Sequence, residues 1–167
     1  MRTLRLLLAA LSTVALVGGT LGTVAAQSDA EDQYLTGTMT FVEEIEVGTS
    51  SEVEGVLETR GASAVYDLEM SDPRVSGTMT SRDVAVDGYG DLRLAFAGMT
   101  ELVNDDGSWT GDWHGIFQPS MGWQLLYELE GQGGFEGLTF FLHGASPELD
   151  DGVWEMDGFI VGEPPAE

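Results

Sequence analysis

The sequence predicts an all-β protein, an antiparallel up-and-down β-barrel of about eight strands, with a β-sandwich as the alternative. Three observations predict it. Every second residue from Gly107 to Phe117 is glycine, tryptophan or phenylalanine, and a period of two puts alternate side chains on one face of a strand. Beyond its first residues the chain breaks into short alternating runs divided by turn residues, as sequential hairpins require. No window keeps the i, i+3, i+4, i+7 apolar stripe of a packed helix. Hairpins in series need no long crossover, and glycines inside strands mark the bends that closure demands, so the barrel is favoured over the sandwich.

Residues 1–26 read as a signal peptide. Arg2 and Arg5 make a basic start, Leu6 to Val24 is uncharged and apolar, and Val24-Ala25-Ala26 offers small residues for cleavage before Gln27. A retained anchor is the alternative, since the apolar run is just long enough to span a bilayer. Ser12, Thr13 and the terminal small residues favour cleavage. The expected product is secreted, or held on the exterior of the cell envelope, with no membrane segment in the mature chain. Residues 27–162 are expected to form a single domain and residues 163–167 a flexible tail.

The strands follow in order. Tyr34 to Val42 alternates, with Leu35, Met39 and Phe41 on one face, and a weaker acidic run covers Val53 to Thr59. Ala64 to Met70 places Ala64, Tyr66, Leu68 and Met70 together, and Ser71-Asp72-Pro73 is a turn because proline cannot donate to a ladder. Arg74 to Val86 is a long run expected to bend or bulge near Ser81, followed by a hairpin turn at Asp87 to Gly90. Asp91 to Val103 groups Leu92, Leu94, Phe96 and Gly98, and Asn104 to Gly107 turns the chain into Trp109 to Phe117. Met121 to Leu129 groups Met121, Trp123, Leu125, Tyr127 and Leu129. Gly131 to Gly134 is a loop before Gly137 to His143, and Pro147 to Gly152 turns into Val153 to Val161, with Trp154, Met156, Gly158 and Ile160 on one face.

Composition excludes several functions. All 29 acidic residues lie beyond position 26, opposed there only by Arg60, Arg74, Arg82 and Arg93, and the chain has no lysine. Such a surface repels nucleic acid and anionic lipid, so neither is an expected partner. It suits solubility in a saline habitat, or a cation or basic partner. The chain has no cysteine, which removes thiol catalysis, zinc–thiolate sites and lipoprotein anchoring, and leaves packing alone to hold an exported fold.

Two segments carry a resemblance. Met70-Ser-Asp-Pro-Arg-Val-Ser-Gly-Thr78 and Gly131-Gln-Gly-Gly-Phe-Glu-Gly-Leu-Thr139 resemble a group of uncharacterised secreted bacterial β-barrel proteins. That group shows a D-P-R-V-S-G-T-like block, a W-x-G-x-W-x-G strand and a G-x-G-x-(Y or F)-E-G-L-T block in this order. The likeness spans most of residues 70–161. The glycine-rich block is also loosely similar to a corner of allene-oxide-cyclase-like and dirigent-like barrels. The resemblance implies a barrel and carries no catalytic residue onto this chain.

The candidate sites follow from the alternation. Trp109, Trp113, Trp123, Tyr127 and Trp154 fall on the predicted inner face. That face is either a filled core or an apolar small-molecule site at the barrel mouth, where such sites lie. Almost no ionisable group alternates onto it, so it offers no evident acid, base or nucleophile. His114 and His143 fall on the outer face. With one strand between them they stand roughly 9–10 Å apart, too far to share a zinc ion. Asp105, Asp106, Asp150 and Asp151 form oxygen-rich turns that suit calcium, although Asp-Asp-Gly is also ordinary hairpin chemistry. No other cofactor is expected. Arg74, beside Asp72, is the best candidate for a structural ion pair. Ile116, Leu126, Phe141 and Phe159 are apolar and outward; on neighbouring strands they form a patch that suits a homo-oligomer.

The sequence-based reading is a non-enzymatic binding or surface protein with an apolar small molecule at the barrel mouth. The alternatives are a cofactor-free isomerase or cyclase of allene-oxide-cyclase-like type, which constrains an apolar substrate, and a structural envelope-associated protein.

Overall fold

The computed structural model describes residues 34–146 and 152–163. The expected signal peptide, the tail beyond Glu163, and Asp150 and Asp151 lie outside the described residues.

The described chain forms β1 (Leu35–Glu46), β2 (Thr49–Val53), β3 (Val56–Met70), β4 (Gly77–Tyr89), β5 (Arg93–Val103), β6 (Gly107–Gln118), β7 (Gly122–Gly133), β8 (Leu138–Ser146) and β9 (Val153–Gly162). They make one antiparallel sheet in the order β1-β9-β8-β7-β6-β5-β4-β3-β2. β1 also pairs with β3, from Gly37 opposite Met70 to Glu46 opposite Ser63. This pairing closes the sheet into a barrel-like hydrogen-bonded ring, with β2 outside it. The all-β, antiparallel, up-and-down order expected from the sequence is the order found.

Departures from simple alternation have local causes. β3 is one strand where the sequence suggests two, interrupted by register shifts between Thr59 and Ala64 around Gly61, whose φ is 76°. β2, unforeseen, continues along β3 beyond β1, with Thr49 opposite Arg60. The expected bend near Ser81 is a bulge: Arg82 faces Met99 and Ala85 faces Ala97, and Asp83 takes a φ of 51°. The extra residue exchanges the two faces of the strand. Met79 and Ser81 are buried before the bulge, and Val84 is buried after it.

Three residues assigned to the inner face are exposed: Leu92, Met121 and Phe41, whose ring lies at the edge beside Tyr66. β4 runs through Tyr89, so the reversal falls at Gly90 to Leu92, where Asp91 and Leu92 have φ of 63° and 59°. Left-handed backbone takes Leu92 out of the alternation and leaves it 67% exposed. Met121 sits in the turn between β6 and β7 and is 54% exposed.

One half of the interior is sealed. Leu68, Val75, Met79, Leu102, Trp109, Leu129 and Phe140 are all buried there. Trp109 stacks on Phe135, which the β7–β8 hairpin folds back over it, at 4.9 Å between ring centroids. Its Nε1 donates to the Arg74 carbonyl at 2.8 Å. Arg74 lies in a short 3₁₀ turn, Pro73–Val75, capped by the Asp72 carboxylate, which accepts from the Arg74 backbone N–H at 2.9 Å. Burying a tryptophan removes about 150–250 Å² from water, an upper value of roughly 4–6 kcal/mol at about 25 cal/mol per Å². Gly111 stands on the inner face between Trp109 and Trp113, where a Cβ would overlap the Glu128 carbonyl oxygen of β7. Glycine there lets β6 curve tightly against β7.

Candidate ligand-binding site

The other half of the interior is hollow. A cavity of about 130 Å³ is lined by the rings of Tyr66, Phe96, Trp113, Trp123, Tyr127 and Trp154, with Met39, Leu125, Val84 and Val86 between them and Ser81 as a small polar contributor. Strand register brings these residues together. Trp113 on β6 faces Tyr127 on β7, Met39 on β1 faces Trp154 on β9, and Phe41 on β1 faces Tyr66 on β3.

The rings form a connected belt. Phe41 meets Tyr66 edge-on at 5.9 Å, Tyr66 meets Trp154 at 5.8 Å, and Trp154 meets Trp123 at 6.2 Å. Trp123 continues to Phe96 at 4.6 Å and to Phe117 at 5.4 Å. Trp113 stacks on Tyr127 at 5.8 Å. Edge-to-face pairs each add about 0.5–1.5 kcal/mol beyond area burial, so the belt stays ordered around the empty volume. Tyr66, Phe96, Trp123 and Trp154 are only half-buried, unlike the residues of the sealed half.

The indole donors of the lining are packed within the wall, Trp113 Nε1 against Gly98 of β5, and not turned to the open space. Trp113 Nε1, Trp123 Nε1 and Trp154 Nε1 are buried and have no hydrogen-bond partner among the described residues. Indole N–H is a donor only, and a buried donor left unmatched costs about 1–3 kcal/mol. The Tyr127 hydroxyl reaches only the Met39 thioether, at 3.8 Å. Burial, helped by the neighbouring Tyr66, pushes the Tyr127 phenol far above its ordinary value. Burial likewise raises Tyr66, with the charge of Glu44 adding to it. Both phenols therefore stay protonated near neutral pH. Among the described residues no histidine, lysine, arginine or carboxylate lines the cavity. The arrangement can hold an apolar body against aromatic faces; among the described residues it holds no group poised to exchange protons at neutral pH.

Of the residues expected at the site, Trp113, Trp123, Tyr127 and Trp154 meet in this cavity. Trp109 lies in the sealed half, its one polar atom already bonded to Arg74. Tyr66 and Phe96 were legible as inward by alternation. Val84 and Val86 were hidden, because the bulge at Asp83 reverses their face.

A second concavity, of about 420 Å³, lies on the outer face. His114, Leu126, His143 and Asp157 form one row across β6 to β9 in strand register. One strand separates the two histidines, as the sequence implies. His143 Nδ1 pairs with the Asp157 carboxylate at 2.9 Å and its Nε2 with Gln124 Oε1 at 3.2 Å. The Tyr34 hydroxyl also donates to Asp157. Burial opposes the Asp157 charge, yet the hydrogen bonds from Tyr34 and His143 prevail and hold its carboxyl below the usual range. Phe141 and Phe159 stack on each other at 5.3 Å. The Tyr34, His143 and Asp157 groups thus satisfy one another, whereas those inside the ring do not. Leu126, Phe141 and Phe159 share this groove, while Ile116 lies in a separate hollow beside Tyr89.

The acidic turn at Asp105 and Asp106 is organised by Asn104. Its Oδ1 accepts from the backbone N–H of Asp106 and Gly107, and its Nδ2 donates to the Arg74 carbonyl at 2.9 Å. Among the described residues no group of three or more histidines or carboxylates is placed to hold a metal ion. Arg74 makes the expected ion pair, with Nη2 at 2.6 Å and Nε at 3.0 Å from Asp72 Oδ2.

Comparison of the chain with protein-family models, curated proteins and solved structures finds no match.

Proposed function

We propose that this chain is an exported, acidic binding protein that holds a small apolar molecule in the tryptophan-lined cavity of its ring. The observation that carries this reading is a cavity of about 130 Å³ walled by aromatic rings, four of which, Tyr66, Phe96, Trp123 and Trp154, are only half-buried. Among the described residues no histidine, lysine, arginine or carboxylate lines the cavity, and its two phenols stay protonated, which supports binding over proton-transfer chemistry. Export rests on the basic, apolar and small-residue pattern of residues 1–26, and agrees with the resemblance to secreted bacterial barrels.

The test is native mass spectrometry of the protein purified from the medium of its own source. The expected result is an adduct of small-molecule mass that disappears on denaturation. A bare protein mass, together with no thermal shift from any ring-sized apolar probe, overturns the reading.

The isomerase or cyclase reading gains from one feature, the Tyr127 hydroxyl with only a sulfur partner, which is free to polarise a bound oxygen. It requires a bound molecule that leaves chemically changed; recovery of every bound compound unaltered decides for the binding protein.

A further inference from the structure

We propose that the outer groove across β6 to β9 is a second binding site, separate from the ring interior, and that it takes a small organic cation: an ammonium or guanidinium group carried on an apolar body.

The groove combines an apolar floor with unpaired negative charge. Leu126 and Phe159 are exposed on that floor, and the Phe141 and Phe159 rings stack at 5.3 Å. Its volume of about 420 Å³ falls within the range of small-molecule sites, about 300–1,000 Å³. Asp112 on β6 stands directly opposite Glu128 on β7, and Glu128 directly opposite Phe141 on β8. Like charges at directly opposed positions destabilise a sheet. Asp157, the third carboxylate of the lining, is engaged by Tyr34 and His143. The Asp112 and Glu128 carboxylates have no hydrogen bond or ion pair among the described residues.

No lysine or arginine of the chain supplies the counter-charge. There is no lysine, and beyond residue 26 there are four arginines. Arg60 pairs with Asp87 at 2.6 Å, Arg74 with Asp72 at 2.6 Å and Arg82 with Glu101 at 3.4 Å, and Arg93 Nε donates to the Gly90 carbonyl at 3.4 Å. None of the four lines the groove. Residues 27–33 and 147–151 carry acids and neither lysine nor arginine, so they add to the negative charge and cannot balance it. His114 and His143 line the groove, and an imidazole is a cation only when protonated.

The matching occupant follows from the strand register. Directly opposed residues stand roughly 5 Å apart, so a cation between Glu128 and Phe141 meets a carboxylate and a ring together. Its apolar body then covers Leu126 and Phe159. A bare metal ion gains nothing from the rings, and two carboxylates leave it short of the six or more oxygens that calcium takes. A second copy of the chain presenting the same face would bring like charges together.

Three probes test this at pH 8: 2-phenylethylammonium, 2-phenylethanol, which has the same body without the charge, and calcium, which has charge without the body. Binding is followed by the imidazole resonances of the two histidines and the ring resonances of Phe141 and Phe159; the indole resonances of the four tryptophans report on the ring interior. The ammonium should bind about tenfold tighter than the alcohol, the factor that a cation–π contact and one or two exposed ion pairs provide. It should move the histidine and phenylalanine resonances. Glu128→Gln and Asp112→Asn, both at exposed positions, should each lower the preference about threefold, and the double variant should bring it close to one. Glu69→Gln, the same charge change at an exposed position on β3, should leave it. In the free protein Glu128→Gln should raise the midpoint of thermal unfolding, because it removes a like-charge pair. Equal binding of ammonium and alcohol overturns the proposal, as does a loss of preference in Glu69→Gln as large as in Glu128→Gln. A lower midpoint in Glu128→Gln overturns it by revealing a partner already in place. Calcium moving the same resonances as strongly assigns the groove to a metal ion, and an ammonium that moves only the indoles binds inside the ring; either result overturns it. A basic tripeptide of lysine and phenylalanine binding more than tenfold tighter than the amine, or a dimer in sedimentation that Phe159→Ser dissociates, gives the face to a protein partner or a second copy and overturns the small-molecule assignment.

Discussion

Trp109 Nε1 donates to the Arg74 carbonyl at 2.8 Å, and this bond joins the start of β6 to a 3₁₀ turn some thirty residues earlier in the chain. It separates Trp109 from the other three tryptophans, whose N–H groups have no such partner. The difference predicts unequal responses to one substitution. Trp109→Phe loses ring volume and one of the two hydrogen bonds to the Arg74 carbonyl, which keeps the Asn104 donor, whereas Trp123→Phe loses ring volume and deletes a donor with no partner among the described residues. In urea unfolding, Trp109→Phe should be the more destabilising by about 1 kcal/mol, the worth of one net hydrogen bond. Equal losses would show that the Arg74 bond contributes nothing net.

Gly111 makes a second prediction. A methyl at this position would overlap the Glu128 carbonyl oxygen, which belongs to the β6–β7 ladder and cannot swing away as a side chain can. Gly111→Ala should cost about 3 kcal/mol or more, at the severe end for overpacking. Gly55→Ala is the control for a glycine whose Cβ meets nothing, its φ of 82° costing only backbone strain of about 1–2 kcal/mol. Thermal melts of the two variants decide between them.

Acid sensitivity has a defined sign. The Arg74 guanidinium, against some opposition from burial, holds the Asp72 carboxyl below its ordinary value, and the Tyr34 and His143 hydrogen bonds do the same for Asp157 against burial. A carboxyl depressed in the folded state adds stability that is present above its unfolded value and lost as pH falls through the lower folded one. Stability should therefore decline below about pH 4. Asp72→Asn should flatten that decline and cost about 1 kcal/mol at neutral pH, a modest sum because the Arg74 side chain is half exposed and water screens the pair. An unchanged acid limb in the variant would remove Asp72 from the account.

Salt gives a fourth. A net charge of −23 with six arginines and no lysine means self-repulsion in the folded state. Going from about 0.01 M to about 1 M salt shortens the screening length from about 30 Å to about 3 Å. The midpoint of thermal unfolding should rise by about 5 °C or more, the equivalent of about 1–2 kcal/mol in a domain of this size. A flat or falling midpoint would mean that the four arginine-centred pairs outweigh the repulsion.

Much of the fold was legible because strands with one buried face write their geometry into the sequence. From Trp109 to Phe117 each inward residue is large or glycine, and β7 and β8 read as plainly. Reading failed where the backbone left the strand region. The bulge at Asp83 reversed Val84 and Val86, and the left-handed turn at Asp91 and Leu92 expelled Leu92. Phe135 sits in a hairpin, where alternation says nothing, yet it is buried against Trp109.

The same boundary runs through the site. Alternation alone determines that the chain is an antiparallel series of strands with its tryptophans turned inward and its carboxylates turned out, since period and polarity are local properties. Only the tertiary structure decides which tryptophans are spent on the core and which surround a cavity. That depends on the Arg74 carbonyl and the Phe135 ring arriving over Trp109 from distant parts of the chain, and on no hydrogen-bond acceptor arriving, among the described residues, at the Trp113, Trp123 and Trp154 nitrogens. Hydrogen-bond partners and empty volume are set by contacts between strands far apart in sequence, and no pattern along a single strand records them.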